Sequence, residues 1–126
     1  MTGDRLLGRY ETQRPGPTLL IVAGLHGNEP AGALAAKSVC RKLHAAAPPL
    51  KGSLVCVAGN PEALAKRSRF LDEDLNRCWD PPAVAALRAA DPAADNCEQR
   101  AQRELLELFD SLPRPAYALD LHTTSG

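Results

Sequence analysis

Leu19 to Pro30 reads LLIVAGLHGNEP, and the reading of this stretch decides the fold. Leu19, Leu20, Ile21 and Val22 form an apolar run that does not alternate, as in a strand buried on both faces. Gly24 stops the run. His26, Gly27, Asn28 and Glu29 follow at once, and Pro30 opens an alanine-rich stretch with helical periodicity. The order is strand, turn, helix. His26 and Glu29 therefore fall at the carboxyl edge of a strand, where open α/β sheets bind ligands. A His and a Glu so placed can hold one divalent metal ion if a third ligand arrives from elsewhere. His122, in AYALDLHTTSG, is the candidate.

Outward from this stretch the chain alternates strands and helices. Arg5 to Tyr10 reads as a short strand, with Pro15, Gly16 and Pro17 as a turn. Thr18 to Ala23 is the central strand. Pro30 to His44 follows as a helix, with Ala31, Leu34, Ala35, Val39 and Leu43 on the inner face and Lys37, Arg41 and Lys42 toward water. Ala45 to Pro49 ends it. Ser53 to Ala58 is a second buried strand, broken by Gly59-Asn60-Pro61, and Glu62 to Arg67 form one or two helical turns. RSRFLDEDLNRCW is dense in charge, lacks a period and belongs on loops. The alanine-rich region around Pro81, Pro82 and Pro92 reads as loop and short helix. Asp95 to Ser111 is the second long helix, opened by a capping-box-like Asp95/Glu98 pair. Its inner stripe is Ala101, Leu105, Leu108, Phe109 and Leu112, with Glu and Arg outside, and Pro113 and Pro115 stop it. Tyr117 to Leu121 reads as a third buried strand that delivers Asp120 and His122. The expected class is α/β: a mixed, mostly parallel sheet with helices on both faces.

Composition narrows the function. A chain of 126 residues is a single domain or part of one, long enough to bury roughly two-thirds of its unfolded surface. Fifteen Lys and Arg balance fifteen Asp and Glu, so no nucleic-acid or anionic-membrane footprint is expected. No apolar run approaches the ~20 residues of a membrane span. The opening MTGDRLLGRYE carries acids and lacks a signal peptide's apolar core. Cytoplasm is the expected location. Cys40, Cys56, Cys78 and Cys97 are widely spaced with no CxxC pair, a pattern that fits reduced thiols.

Each chemical candidate has a bland counterpart. Glu29 can simply answer a helix dipole while His26 is a loop residue. His122 can be a satisfied strand-end histidine, and Asp120, on the same strand face, its support or a plain polar partner. Two His and one carboxylate with an open fourth position are, however, a known catalytic zinc set. Arg69, Asp74, Asn76 and Arg77 can be a solvated loop of paired charges. They can also act on a substrate: Asn76 and Arg77 by gripping a carboxylate, Arg69 by stabilising a developing oxyanion. A dinucleotide-binding turn is disfavoured, because GLHGNE is not GxGxxG. A serine hydrolase is disfavoured too, because Ser125 lies at the terminus and GxSxG is absent.

GLHGNEP, NPEA, RFLDEDLNR and DLHTT, in that order, resemble the succinylglutamate desuccinylase/aspartoacylase family, which is related to zinc carboxypeptidases. The resemblance spans Gly24 to Thr124. It implies one Zn2+ per chain on His26, Glu29 and His122, with Asp74 supporting His26. It implies that Arg69 polarises the scissile carbonyl and that Asn76 and Arg77 bind a substrate carboxylate. The reaction implied is hydrolysis of an N-acyl amino acid of the succinylglutamate or N-acetylaspartate type, with zinc-activated water as nucleophile. Family chains continue beyond the DLH motif and draw their catalytic Glu from that later part. The expectation is thus an N-terminal part of a zinc carboxypeptidase-like domain, apparently truncated, with an open sheet edge. A carboxypeptidase-like peptidase, a non-catalytic zinc-binding fragment and a domain without a site are the alternatives. Whether copies of the chain associate is left open.

Overall fold

The computed structural model describes residues 4–124, so Ser125 lies outside the described residues. Strands β1 (Leu6–Glu11), β2 (Arg14–Ala23), β3 (Lys51–Ala58) and β4 (Ala116–Leu121) form one sheet in the order β1-β3-β2-β4. β2 runs parallel to β3 and to β4, and β1 is antiparallel to β3. Helices α1 (Ala31–Ala46), α2 (Pro61–Lys66), α3 (Pro81–Ala89) and α4 (Cys97–Ser111) connect them, with 3-10 turns at Leu75–Arg77 and Pro92–Ala94. α1 leads from β2 to β3 on one side, and the later helices bring the chain back to β4 on the other. The carboxyl ends of β2 and β4 therefore flank a topological switch point.

Side chains of β2 and β3 alternate between two cores. Leu20, Val22, Val55 and Val57 join Leu25, Leu75, Ala101 and Leu105 beneath α4. Ile21, Leu54 and Cys56 pack with Ala36 and Cys40 beneath α1. Burial on both faces explains the unbroken apolar run of β2, and each fully buried Leu or Val contributes ~1.5–3 kcal/mol.

Four sequence expectations are corrected. Pro15, Gly16 and Pro17 are strand, not turn: four steps from Arg14 to Thr18 match two from Lys51 to Ser53, a bulge that tolerates proline. Gly52 takes φ +93° there, and a Cβ on Gly16 would lie 2.6 Å from Gly52 N.

α1 buries Ala33, Ala36 and Cys40, while Leu34 and Val39 are exposed. The helix sits too close to the sheet for large residues: a Cβ on Gly8 would be 2.7 Å from Cys40 Sγ. α4 is capped by Asn96 and Gln99, one residue beyond the expected pair, and Glu98 turns inward where Glu was expected outside. β4 is an edge strand and not a buried one, with Tyr117 and Leu119 exposed. Only β2 pairs with it among the described residues.

Candidate metal centre

His26 lies three residues beyond the end of β2 and is held by close backbone packing. Gly24, at φ +69°, turns the chain, and a Cβ on Gly27 would run into the backbone of Ala63 and Ser68. Only glycine admits that approach. Gly27 N donates to Arg69 O at 3.2 Å, and Glu29 N to His26 O at 3.2 Å. The ring of His26 is thus fixed between two carboxylates: Nδ1 lies 2.6 Å from Glu29 Oε2, and Nε2 lies 2.8 Å from Asp74 Oδ1.

Glu29 links both sides of the switch point. It sits just before α1, and its Oε1 accepts from Thr123 N, beyond β4, at 2.6 Å. His122 Nδ1 is 3.4 Å from the same Oε1, and His122 Nε2 is 2.7 Å from Asp120 Oδ2. The two imidazoles meet edge to face, with centroids 5.3 Å apart and planes at 61°. Ligand atoms of His26, Glu29 and His122 all lie within 4.8 Å of one another.

Two imidazoles and a carboxylate suit zinc. Bonds of ~2.0–2.2 Å place tetrahedral ligands about 3.3–3.6 Å apart. The 3.4 Å between Glu29 and His122 falls in that range, while the 2.6 Å between Glu29 and His26 is a direct hydrogen bond that a bound ion would open.

Burial alone would raise the pKa of Glu29, but the His26 hydrogen bond, the Thr123 amide and the nearby imidazoles outweigh it and hold it below the usual carboxylate value. Burial likewise pushes Asp74 up, and the His26 hydrogen bond, the Asn76 amide, the His26 charge and the Arg69 charge bring it below its usual value. Both groups are kept ionised in the neutral range.

The charged loop gathers around Asp74. Asn76 N donates to Asp74 Oδ1 at 2.9 Å. Arg69 and Arg77 place guanidinium nitrogens 3.4 and 3.5 Å from Asp74 Oδ2, with the Arg69 side chain half exposed and that of Arg77 largely in solvent. Asn76 lines a cleft with Trp79, Phe109 and Asp120. Pairwise contacts thus join His26, Glu29, His122, Arg69, Asp74, Asn76 and Arg77 into one cluster. Two contributors had no signal in the sequence: the Thr123 amide and the buried Glu98 behind the loop. His44 takes no part; it lies in the last turn of α1, at the end away from Glu29, and bonds Arg9 O.

The fold and this crevice define an α/β domain of the zinc-carboxypeptidase type with a candidate metal cluster at its switch point. Residues 15–126 match the family model described as the succinylglutamate desuccinylase/aspartoacylase catalytic domain. The chain belongs to that family. A "Probable aspartoacylase" of Synechococcus sp. (strain CC9605) is 36% identical over 113 residues, covering 86% of this chain and 34% of the relative. A succinylglutamate desuccinylase of Burkholderia cenocepacia is 33% identical over 110 residues, covering 84% of this chain and 30% of the relative. The chain thus spans about a third of the length of these relatives. Among solved structures, succinylglutamate desuccinylase of Vibrio parahaemolyticus superposes with a TM-score of 0.68 at 22% identity, over 91% of this chain and 38% of that one, a likeness of fold. Murine aminoacylase 3 superposes with a TM-score of 0.66 at 29% identity, over 88% of this chain and 36% of that one. Among the described residues no helix is long and apolar enough to cross a membrane.

Proposed function

We propose that residues 1–126 form one partial catalytic domain and supply the metal-binding part of a zinc hydrolase that cleaves the amide bond of an N-acyl amino acid. The observation that carries this reading is the convergence of His26, Glu29 and His122 within 4.8 Å at the switch point. One Zn2+ would be held by these three side chains, with Asp74 orienting His26 through Nε2. When bound, the ion supplies Lewis acidity that activates water and polarises a carbonyl.

The other roles fall to this chain's own polar groups. Arg69 stabilises charge developing on the carbonyl oxygen, and one such donor is typically worth about 3 kcal/mol. Arg77 grips a substrate carboxylate through its planar fork, and Asn76 adds its amide. Release of Arg69 and Arg77 from Asp74 costs little, because both are solvated. No residue of this chain is assigned to the general base. The family and the paired Asn76 and Arg77 support the substrate class, a small carboxylate-bearing N-acyl amino acid. A solvent-exposed cytoplasmic enzyme is the setting that suits such a substrate.

Zinc content of purified protein, measured by elemental analysis, tests the reading. Near one zinc per chain is expected, and its loss in His26→Ala and in His122→Ala. Stoichiometric, tight zinc in either variant overturns the ligand set. Turnover of N-acyl amino acids against C-terminal peptide substrates then separates a deacylase from a carboxypeptidase.

A further inference from the structure

The loop from Arg69 to Arg77 carries the groups around His26, yet its only regular element is a single 3-10 turn. Its backbone amides need partners. They find them in Glu98, on the first turn of α4, whose side chain is fully buried. Oε1 accepts from Leu71 N at 2.7 Å and from Asn60 Nδ2 at 3.1 Å. Oε2 accepts from Asp72 N at 2.9 Å and from Glu73 N at 3.3 Å. The exchange is reciprocal. Asp72 Oδ2 accepts from Cys97 N at 2.9 Å, and Asn96 Nδ2 donates to Glu73 Oε1 at 3.1 Å. Asn60 extends the link to the sheet, because its own N donates to Gly24 O, at the end of β2, at 3.0 Å.

A buried carboxylate with four donors is not filling space. Leucine would fill the same volume, and burial of a charge is tolerated only where its lone pairs are satisfied. Three of its donors are consecutive loop amides, and the next residue is Asp74, whose Oδ1 meets His26 Nε2. We infer that Glu98 is a positioning residue for the candidate metal centre: it gathers the amides of Leu71, Asp72 and Glu73 and so sets Asp74 against His26. The consequence for metal affinity rests on the zinc reading above; the consequence for the loop does not.

Amide hydrogen exchange and zinc titration, with Zn2+ as the only ligand, test this on the whole chain. In the wild-type protein, the amides of Leu71, Asp72 and Glu73 should exchange slowly, protected about 100-fold or more. Unprotected exchange at these three positions overturns the inference without any variant. Glu98→Gln keeps the volume but puts an NH2 donor where an acceptor oxygen stood. Exchange at the three amides should then rise about tenfold or more while β2 and β3 keep their protection. The zinc Kd should weaken about 10–100-fold, as when a ligand's supporting partner is lost. Uniformly faster exchange across the sheet means a merely structural role and overturns the inference. So does a loosened loop with zinc affinity changed by less than about twofold. If the wild-type protein takes no zinc, the metal reading falls, and the exchange measurements alone decide whether Glu98 fixes the loop.

Discussion

His26 and His122 enter the same cluster from opposite surroundings. The His26 side chain is 4% exposed, follows a central strand, and is held by two carboxylates, Glu29 and Asp74. The His122 side chain is 30% exposed, ends an edge strand, and leans on Asp120 and on Glu29 Oε1. The first is placed by the fold: glycine contacts, the start of α1 and the charged loop leave its ring one orientation. The second is placed by two side-chain contacts and the pairing of β4 with β2. The two candidate ligands thus differ in kind, one built into the scaffold and the other resting at its edge. Mutations should separate these roles, because metal affinity needs both and stability needs mainly the first.

The largest contrast is between His26→Ala and His122→Ala. Both should abolish stoichiometric zinc. His26→Ala should also destabilise the metal-free protein by about 2–4 kcal/mol, because it leaves the largely buried carboxylates of Glu29 and Asp74 without their shared partner. His122→Ala should cost less than about 0.5 kcal/mol, as for other exposed side chains. Urea unfolding of both variants in chelator measures this. Equal losses would mean that the two candidate ligands do not differ in this way.

The same division explains what the sequence could reveal. β2 and the turn after it were legible because burial on both faces leaves an unbroken apolar run that Gly24 stops. The partners of His26 were legible only through motif order, since nothing local says that Asp74 folds back across 48 residues. The face of α1 was misread because Leu34/Val39 and Ala33/Ala36/Cys40 share one period, and close packing on the sheet, a tertiary fact, chose the smaller set. β4 was misread as buried because an apolar run records the partners a strand can take, and the described residues supply only β2. Glu98 was invisible because three of its four donors are backbone amides, which carry no residue identity.

A second contrast lies in the supporting carboxylates and in acid. Asp74→Asn should weaken zinc about 10–100-fold, since Asp74 fixes the His26 ring. Glu29, Asp74 and Glu98 all lie on the His26 side or behind its loop, and all are held below their usual pKa values against the upward push of burial. For Glu98 the amides of Leu71 and Asp72, the Asn60 side chain and the Glu73 amide outweigh that push. A depressed folded pKa means that stability is fully present above the unfolded values, 4.5 for Glu and 3.8 for Asp, and is lost as pH falls through the folded ones. The metal-free protein should therefore lose stability below about pH 5, each group adding at most ~1.4 kcal/mol per pH unit. Glu98→Gln should flatten that acid limb. An unchanged slope, measured by urea unfolding from neutral pH into acid, would remove the carboxylates of the His26 side as its cause.

The smallest effect is expected at Asp120, and it is the sharpest test of the comparison. Asp120 Oδ2 stands 2.7 Å from His122 Nε2, a contact as short as that of Asp74 with His26. Distance alone predicts equal importance. The surroundings differ: the Asp120 side chain is 40% exposed and that of Asp74 is 12%. Water can replace an exposed acceptor at little cost, whereas a buried ring that loses its acceptor has no substitute. Asp120→Asn should accordingly change zinc affinity by only about two- to threefold and leave stability within ~0.5 kcal/mol. Parallel zinc titrations of Asp120→Asn and Asp74→Asn decide the matter. If Asp120→Asn loses as much affinity as Asp74→Asn, His122 is as tightly pre-positioned as His26, and contact geometry, not burial, governs how this site is held.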